Sequence, residues 1–336
     1  MKRKFFIVPV LTIFLAFTKS AFTQETNSRE DYSAYLPEVR TFNQYLVRMP
    51  QGGSILTKQG LEEARNSAPI IPVTPLPAVR YIPGPAGDLA LRIFKPDTIR
   101  AVILSIHGGG WSAGTAAHDD FFNDYIAKAC KAAVVAVDYR LAPENPFPAC
   151  IDDCKAAAKW LVKNVKTEFG TERIFISGAS AGAHLGALVA LYIRDSLQAI
   201  DKVKGMNLIY GCFDLSRTPS SRMATDSTPM LPKKYLDELY TLVFPGWTKT
   251  KLQDPKYSPL YADLKNLPPA LFTIGTADPL LDDTRFMEEK WRQAGNSTYL
   301  ASYPESPHAF NYFPTGMAAA ANKKIADWII AHCNSN

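Results

Sequence analysis

The sequence predicts an α/β protein with a mostly parallel central sheet, helices on both faces and a small helical lid. Three observations carry that expectation. From Ala101 onward, short uninterrupted apolar runs alternate with stretches of helical length, the pattern of strands buried on both faces. Just before them, two strand-like runs are joined by the turn-rich Pro83-Gly-Pro-Ala-Gly-Asp88, which adds an antiparallel edge. One apolar run also ends in Gly178-Ala179-Ser180-Ala181-Gly182 with an alanine-rich helical stretch directly behind it. That is the strand, sharp turn and helix expected around a G-x-S-x-G elbow.

At the N-terminus, Lys2, Arg3 and Lys4 precede an apolar run from Phe5 to Phe17, and small and polar residues follow. A basic start, a short apolar stretch and a small-residue boundary read as a secretory signal peptide over residues 1–23. Ala21-Phe22-Thr23 before Gln24 is a suitable cleavage boundary, and Thr18-Lys19-Ser20 is another a few residues earlier. The alternative is an uncleaved anchor, but about 13 apolar residues are short for a bilayer span. The first cysteine is Cys130, so no lipid-attachment cysteine follows the run. The expectation is a secreted or periplasmic protein with no stable membrane anchor after cleavage.

Residues 24–77 read as an N-terminal lid segment and linker. Helical stretches are predicted over Tyr35–Met49 and Leu56–Arg65, and the proline-rich Ala68 to Pro77 forces an extended connection. The main domain follows over residues 78–336. Its predicted strands are Val79–Ile82, Leu89–Phe94, Ala101–Ile106, Ala132–Val137, Arg173–Ser177, Gly205–Tyr210, Ala270–Ile274 and Thr298–Tyr303. Helices are predicted over Asp119–Lys131, Ala149–Val165, Ala181–Asp195, Pro279–Gln293 and Met317–His332. One segment, about 214–262, is far longer than an ordinary βα loop and carries a helical Lys234–Leu242. Its apolar and aromatic content predicts a folded lid insertion.

Composition excludes several classes. With 47% apolar and 21% charged residues the balance is that of a globular domain, and 336 residues suffice for one large core with a lid. The net charge of +5 is spread along the chain and forms no basic stripe, so nucleic acid is not an expected partner. Five cysteines is an odd number, which leaves at least one thiol free or paired between chains. Cys150 and Cys154 are near enough for contact, with awkward geometry for a bridge. No spacing suits a metal site.

A serine hydroxyl needs a base to take its proton and donors to hold an oxyanion. In the elbow architecture the partners follow in the order Ser, Asp or Glu, His, each on a loop after a strand. Asp278, in Gly275-Thr276-Ala277-Asp278-Pro279, stands just past an apolar strand and is the favoured acid. It could also cap a helix beginning at Pro279, and Asp282 and Asp283 are its nearest rivals. Beyond Asp278 only His308 and His332 are available. His308 follows a strand, whereas His332 sits in the C-terminal amphipathic helix, where a surface role is expected. His184, one turn into the helix after Ser180, is expected to pack beneath the elbow. The strand Ala101–Ile106 ends in His107-Gly108-Gly109-Gly110-Trp111, where glycines without β-carbons let backbone N–H groups approach a carbonyl oxygen closely. Ala181, directly after Ser180, is the second expected source of such a donor. Trp111 pins the exit of the loop and is the expected substrate-binding side chain.

Taken together, His107-Gly-Gly-Gly-Trp111, Asp138-Tyr-Arg-Leu-Ala-Pro-Glu144, Gly178–Gly182, Asp278-Pro279-Leu280 and His308 resemble the bacterial hormone-sensitive-lipase-like esterases of the α/β-hydrolase superfamily. The similarity runs from about Tyr81 to the C-terminus. It implies an α/β-hydrolase core under a lid built from the N-terminal segment and the insertion. It also implies a Ser180–His308–Asp278 triad, oxyanion donors at Gly109, Gly110 and Ala181, and structural roles for Asp138, Arg140 and Glu144. Two positions depart from the common family pattern: Ala179 stands where many members carry an acidic residue, and Ala309 where the histidine motif often has glycine.

The function expected from these residues is exported serine carboxylesterase action on short-chain acyl esters, acetyl foremost, with small molecules or acylated glycans as substrates. Neither metal nor organic cofactor is required by that chemistry. The rival readings are amide cleavage, of arylformamidase or peptidase type, and a non-catalytic ligand-binding protein on the same fold.

Overall fold

A computed structural model describes residues 30–49 and 52–334; the expected signal peptide, 1–23, lies outside the described residues. Two helices open the described chain, α1 (Leu36–Arg48) and α2 (Lys58–Arg65), the second capped by Thr57, whose hydroxyl accepts from the Gly60 N–H at 3.1 Å. The hairpin β1 (Ala78–Gly84) and β2 (Gly87–Phe94) follows, then β3 (Ala101–Ile106), α3 (Asp120–Cys130), β4 (Ala132–Val137), α4 (Ala149–Phe169), β5 (Ile174–Ala179), α5 (Ala181–Tyr192) and β6 (Val203–Ile209). The long insertion carries α6 (Pro219–Arg222), α7 (Lys233–Val243) and α8 (Lys249–Leu252). The chain then closes with β7 (Ala270–Gly275), α9 (Leu281–Gln293), β8 (Thr298–Tyr303) and α10 (Gly316–Asn334).

The eight strands form one sheet in the order β1-β2-β4-β3-β5-β6-β7-β8. The β1–β2 and β2–β4 pairs are antiparallel and every other neighbouring pair is parallel. The α/β-hydrolase architecture anticipated from the motifs is the one observed.

Strands β3, β4, β5 and β7 are buried at every position, which is why they read as unbroken apolar runs. Alternate residues serve opposite faces. Val102, Leu104 and Ile106 join the core beneath α4 and α5, and Ala101 and Ile103 join that beneath α3 and α10. Helix α4 runs four residues past the predicted Val165 to Phe169 and stops where Gly170 turns left-handed at φ +73°. Helix α9 starts at Leu281, two residues later than predicted.

Because β3 and β5 to β8 are parallel, their carboxyl ends share one edge, and the loops leaving them meet there. The insertion is rooted at that edge by two carboxylates of α9. Asp283 accepts from the Phe213 and Asp214 N–H groups at 2.8 and 2.9 Å and from the Thr218 hydroxyl at 2.5 Å, while Asp282 accepts from the Ser220 N–H at 2.8 Å. The N-terminal segment is tied down as firmly. Arg65 makes a bidentate pair with Glu144 at 2.8 and 2.7 Å and donates to the Ser112 and Ala142 carbonyls at 2.8 and 3.0 Å. The two segments also meet each other, since the Ile55 N–H donates to Glu238 of α7 at 3.0 Å. Among the described residues no helix is long and apolar enough to cross a membrane.

Candidate functional site

Ser180 sits between β5 and α5 at φ 56°, ψ −120°, a conformation that costs a non-glycine residue about 1–3 kcal/mol. The surrounding backbone enforces it. The Ser180 N–H donates to the Ile209 carbonyl at 2.8 Å, which ties the elbow to β6. A β-carbon on Gly178 would lie 2.3 Å from the Gly182 carbonyl oxygen, and one on Gly182 would lie 1.9 Å from that of Ile106. Both glycines of the pentapeptide are therefore dictated by close backbone approach.

The serine hydroxyl so presented lies 2.9 Å from His308 Nε2, and His308 Nδ1 lies 2.8 Å from Asp278 Oδ2. A proton on Nδ1, donated to the carboxylate, leaves Nε2 to accept from the serine. Asp278 is 3% and His308 6% exposed, so little water competes for these bonds. The second oxygen of Asp278 accepts from the Leu280 N–H at 2.8 Å. The carboxylate thus steadies the start of α9 and orients the histidine at once. The helix it steadies begins at Leu281 and not at Pro279. Asp282 and Asp283 root the insertion and do not reach His308.

Packing of the two loops against each other brings Asp278 and His308 within bonding distance. The Thr276 N–H donates to the Tyr303 carbonyl at 2.9 Å and the Ala277 N–H to the Ser306 carbonyl at 3.1 Å. A β-carbon on Gly275 would stand 2.0 Å from the Ser306 oxygen, so only glycine lets the loops close. Ala309 adopts φ 61°, the left-handed conformation that glycine enters without strain and alanine does not. The Tyr210 ring packs 4.6 Å from the His308 ring, and its hydroxyl donates to Asn311 Oδ1 at 2.5 Å. Sequence reasoning did not single out Gly275, Tyr210 or Asn311, because nothing in their local pattern marks them.

The glycine-rich loop after β3 turns with Gly109 at φ 108° and Gly110 at φ 57°, and the Ser112 and Ala113 N–H groups both return to the Gly109 carbonyl. Among the described residues the N–H groups of Gly109, Gly110 and Ala181 donate to no protein acceptor. His107 holds the start of the loop: its ring stacks on Tyr139 at 4.0 Å, and its Nδ1 donates to the Gly108 carbonyl at 2.7 Å. Burial pushes the His107 pKa down to about 4, which keeps the ring neutral.

Trp111 is 2% exposed, so its indole borders the cavity from within the wall. The ring meets Phe244 and Phe147 edge to face, and its N–H donates to His184 Nδ1 at 3.2 Å. His184 is fully buried beneath the elbow and passes a hydrogen bond on to the Tyr257 carbonyl at 2.6 Å; burial lowers its pKa to about 4. This chain links the glycine loop, α5 and the insertion. His332 lies apart, stacked on Trp328.

Of the other motif residues, Asp138 accepts from the Ala116 N–H at 3.0 Å and Arg140 makes a bidentate pair with Asp153 at 2.8 Å for both bonds. All five cysteines are buried and unbridged, Cys150 and Cys154 included. Among the described residues no group of three or more His, Cys, Asp or Glu could hold a metal ion.

A cavity of about 1250 Å³ opens above Ser180 and His308. Its walls come from the glycine loop, α3, α7, the start of α10 and the segment after α2. Apolar side chains dominate, among them Ile71, Leu236, Leu239 and Phe313.

Known proteins share this architecture. Residues 103–312 match the alpha/beta hydrolase fold family. Carboxylesterase NlhH of Mycobacterium tuberculosis is 34% identical over 248 residues, covering 70% of this chain and 75% of its own. An acetyl esterase of Salmonella schwarzengrund is 27% identical over 246 residues, covering 71% of this chain and 74% of its own. A hormone-sensitive lipase from a metagenome library superposes with a TM-score of 0.74 at 28% identity, covering 88% of this chain and 98% of that one. The chain belongs to the alpha/beta hydrolase fold family, within it to the hormone-sensitive-lipase-like esterases, and is a carboxylic-ester hydrolase.

Proposed function

We propose that the protein is an exported serine esterase for short-chain acyl esters, acetyl esters above all, with Ser180 as nucleophile. The observation that carries this reading is the continuous hydrogen-bonded chain from Ser180 through His308 to Asp278 at the floor of the cavity. His308 takes the serine proton as Oγ attacks the ester carbonyl, and Asp278 stabilises the imidazolium that forms. The N–H groups of Gly109, Gly110 and Ala181 receive the developing oxyanion, each such donor being worth roughly 3–4 kcal/mol in the transition state. His308 then returns the proton to the departing alcohol, and a water activated by the same histidine releases the acid.

Short acyl groups are favoured by Leu239 of α7. Its side chain stands close enough to Gly110 that a β-carbon there would meet it at 2.7 Å, which narrows the space beside the scissile carbonyl. The name of the Salmonella relative supports acetyl as the group removed. The basic start and apolar run of residues 1–23 support export, to a compartment where acetylated glycans are available.

The test is a panel of p-nitrophenyl esters of increasing acyl length with a matched acetanilide, run on wild type and Ser180→Ala. Acetate or propionate should head the series, and Ser180→Ala should abolish turnover. Faster anilide than ester turnover would overturn the esterase reading, and activity surviving Ser180→Ala would overturn the site. Mass determination of the chain recovered from the extracytoplasmic fraction should show loss of about the first 23 residues; an intact N-terminus there would refute cleavage.

A further inference from the structure

Asp119 is the one carboxylate among the described residues lining the cavity that holds Ser180 and His308. It ends a short turn, Ala116–Asp119, that leads from the glycine loop into α3. Its Oδ1 accepts from the Tyr312 hydroxyl at 3.0 Å, and no cationic side chain pairs with it among the described residues. The contrast with its neighbour is sharp, since Asp120 is buried and held by the Arg92 guanidinium through two bonds. The cavity's own arginine, Arg65, is spent on Glu144. A carboxylate has about four acceptor sites, and the protein engages one of those of Asp119.

Such a group keeps acceptor capacity to spare. It is part-buried where the wall meets the cavity, and desolvation pushes its pKa up to about 6. At neutral pH the carboxylate form still prevails. An anion held in a largely apolar wall with a single hydrogen bond gains most from a donor supplied by whatever fills the cavity.

We propose that Asp119 is a specificity-determining residue, its free carboxylate oxygen receiving an ammonium or hydroxyl donor carried on one arm of the ester. Esters with such a donor are then selected over their hydrocarbon isosteres, and esters with an anionic arm are disfavoured. The inference rests on the assignment of Ser180 as the nucleophile of this cavity.

Two isosteric pairs test it, one for each arm. On the alcohol side, 2-(dimethylamino)ethyl acetate, protonated at neutral pH, is compared with 3-methylbutyl acetate. On the acyl side, ethyl N,N-dimethylglycinate is compared with ethyl 3-methylbutanoate. For each pair the ratio of kcat/KM values is measured in wild type and in Asp119→Asn, so that intrinsic reactivity cancels. The ratio for one pair should fall by roughly tenfold to a hundredfold in Asp119→Asn, the range of a charge-assisted hydrogen bond, and the change should lie mainly in KM. Tyr312→Phe, which removes the competing donor, should leave the preference for the ammonium ester in place or raise it. Ratios that change less than twofold in both pairs would overturn the proposal, as would an equal loss on both members of each pair, which is what a merely structural role produces. Hydrolysis of 3-methylbutyl acetate that survives Ser180→Ala would instead sink the nucleophile assignment, so the two failures are distinguishable.

Discussion

Gly275→Ala should disconnect Asp278 from His308 without touching either side chain. A β-carbon at this position would lie 2.0 Å from the Ser306 oxygen, whereas ordinary contact begins at 3.4 Å, so the two loops must part by about 1.4 Å. Neither partner is the far end of a flexible side chain, so the strain cannot be absorbed by a rotamer change. If the opening fell on the His308–Asp278 contact it would carry 2.8 Å to about 4 Å, beyond hydrogen-bond range. An imidazole that has lost its orienting carboxylate, together with a misplacement on the order of 1 Å, predicts a fall in kcat of roughly a hundredfold to ten-thousandfold. Gly170→Ala is the matched control: its φ is +73° and nothing stands within 4 Å of a β-carbon there. It therefore strains the backbone by about 1 kcal/mol and leaves the site alone. The assay is kcat and KM on p-nitrophenyl acetate, with thermal melting of both variants to show that each is folded. A folded Gly275→Ala enzyme within tenfold of wild-type kcat would refute the claim that this glycine sets the Asp278–His308 geometry.

Three further expectations follow from the same geometry. Asp278→Asn keeps the shape but removes the charge that orients the Nδ1–H tautomer, so kcat should drop roughly 10³- to 10⁴-fold with little change in KM; a drop of less than tenfold would argue that another carboxylate serves His308. Asp283→Ala leaves two backbone N–H groups and the Thr218 hydroxyl without their acceptor, and should destabilise the protein by about 3–5 kcal/mol in denaturant unfolding; a cost below about 1 kcal/mol would remove it as the root of the insertion. His107 and His184 have pKa values lowered by burial from 6.5 to about 4, so the unfolded chain binds protons that the folded chain refuses. Their stabilising contribution is complete above about pH 6.5 and is lost as pH falls through 4, by about 3 kcal/mol for each histidine, which predicts a melting temperature that declines across that window. A His184→Gln variant whose melting temperature declines as steeply as that of wild type would show that His184 does not contribute.

Much of this protein was legible in its sequence because the informative features are local. The all-buried strands β3, β4, β5 and β7 wrote themselves as unbroken apolar runs, and six of the eight predicted strands start within one residue of the observed ones. Gly178 and Gly182 flank Ser180 because backbone crosses backbone there, a constraint that always leaves glycine in the sequence. Chain order narrowed the choice of base to His308 and His332, since a loop after a strand and the face of a helix have different periodicities. Which carboxylate reaches His308 was a different kind of question. Asp278, Asp282 and Asp283 lie within six residues, and only the folded backbone separates one bound to the histidine from two that root the insertion. The same holds for Gly275, for Tyr210 against the His308 ring, for Arg65 clasping Glu144 and for Asp119 left without a cation. Each is a contact between segments far apart in the chain, and periodicity records the face on which a residue lies, never the partner it meets there. Strands, elbow and nucleophile position follow from short-range sterics that the sequence expresses directly; the pairing of the loops and the chemistry of the cavity wall come from tertiary packing, which brings together residues that share no local pattern.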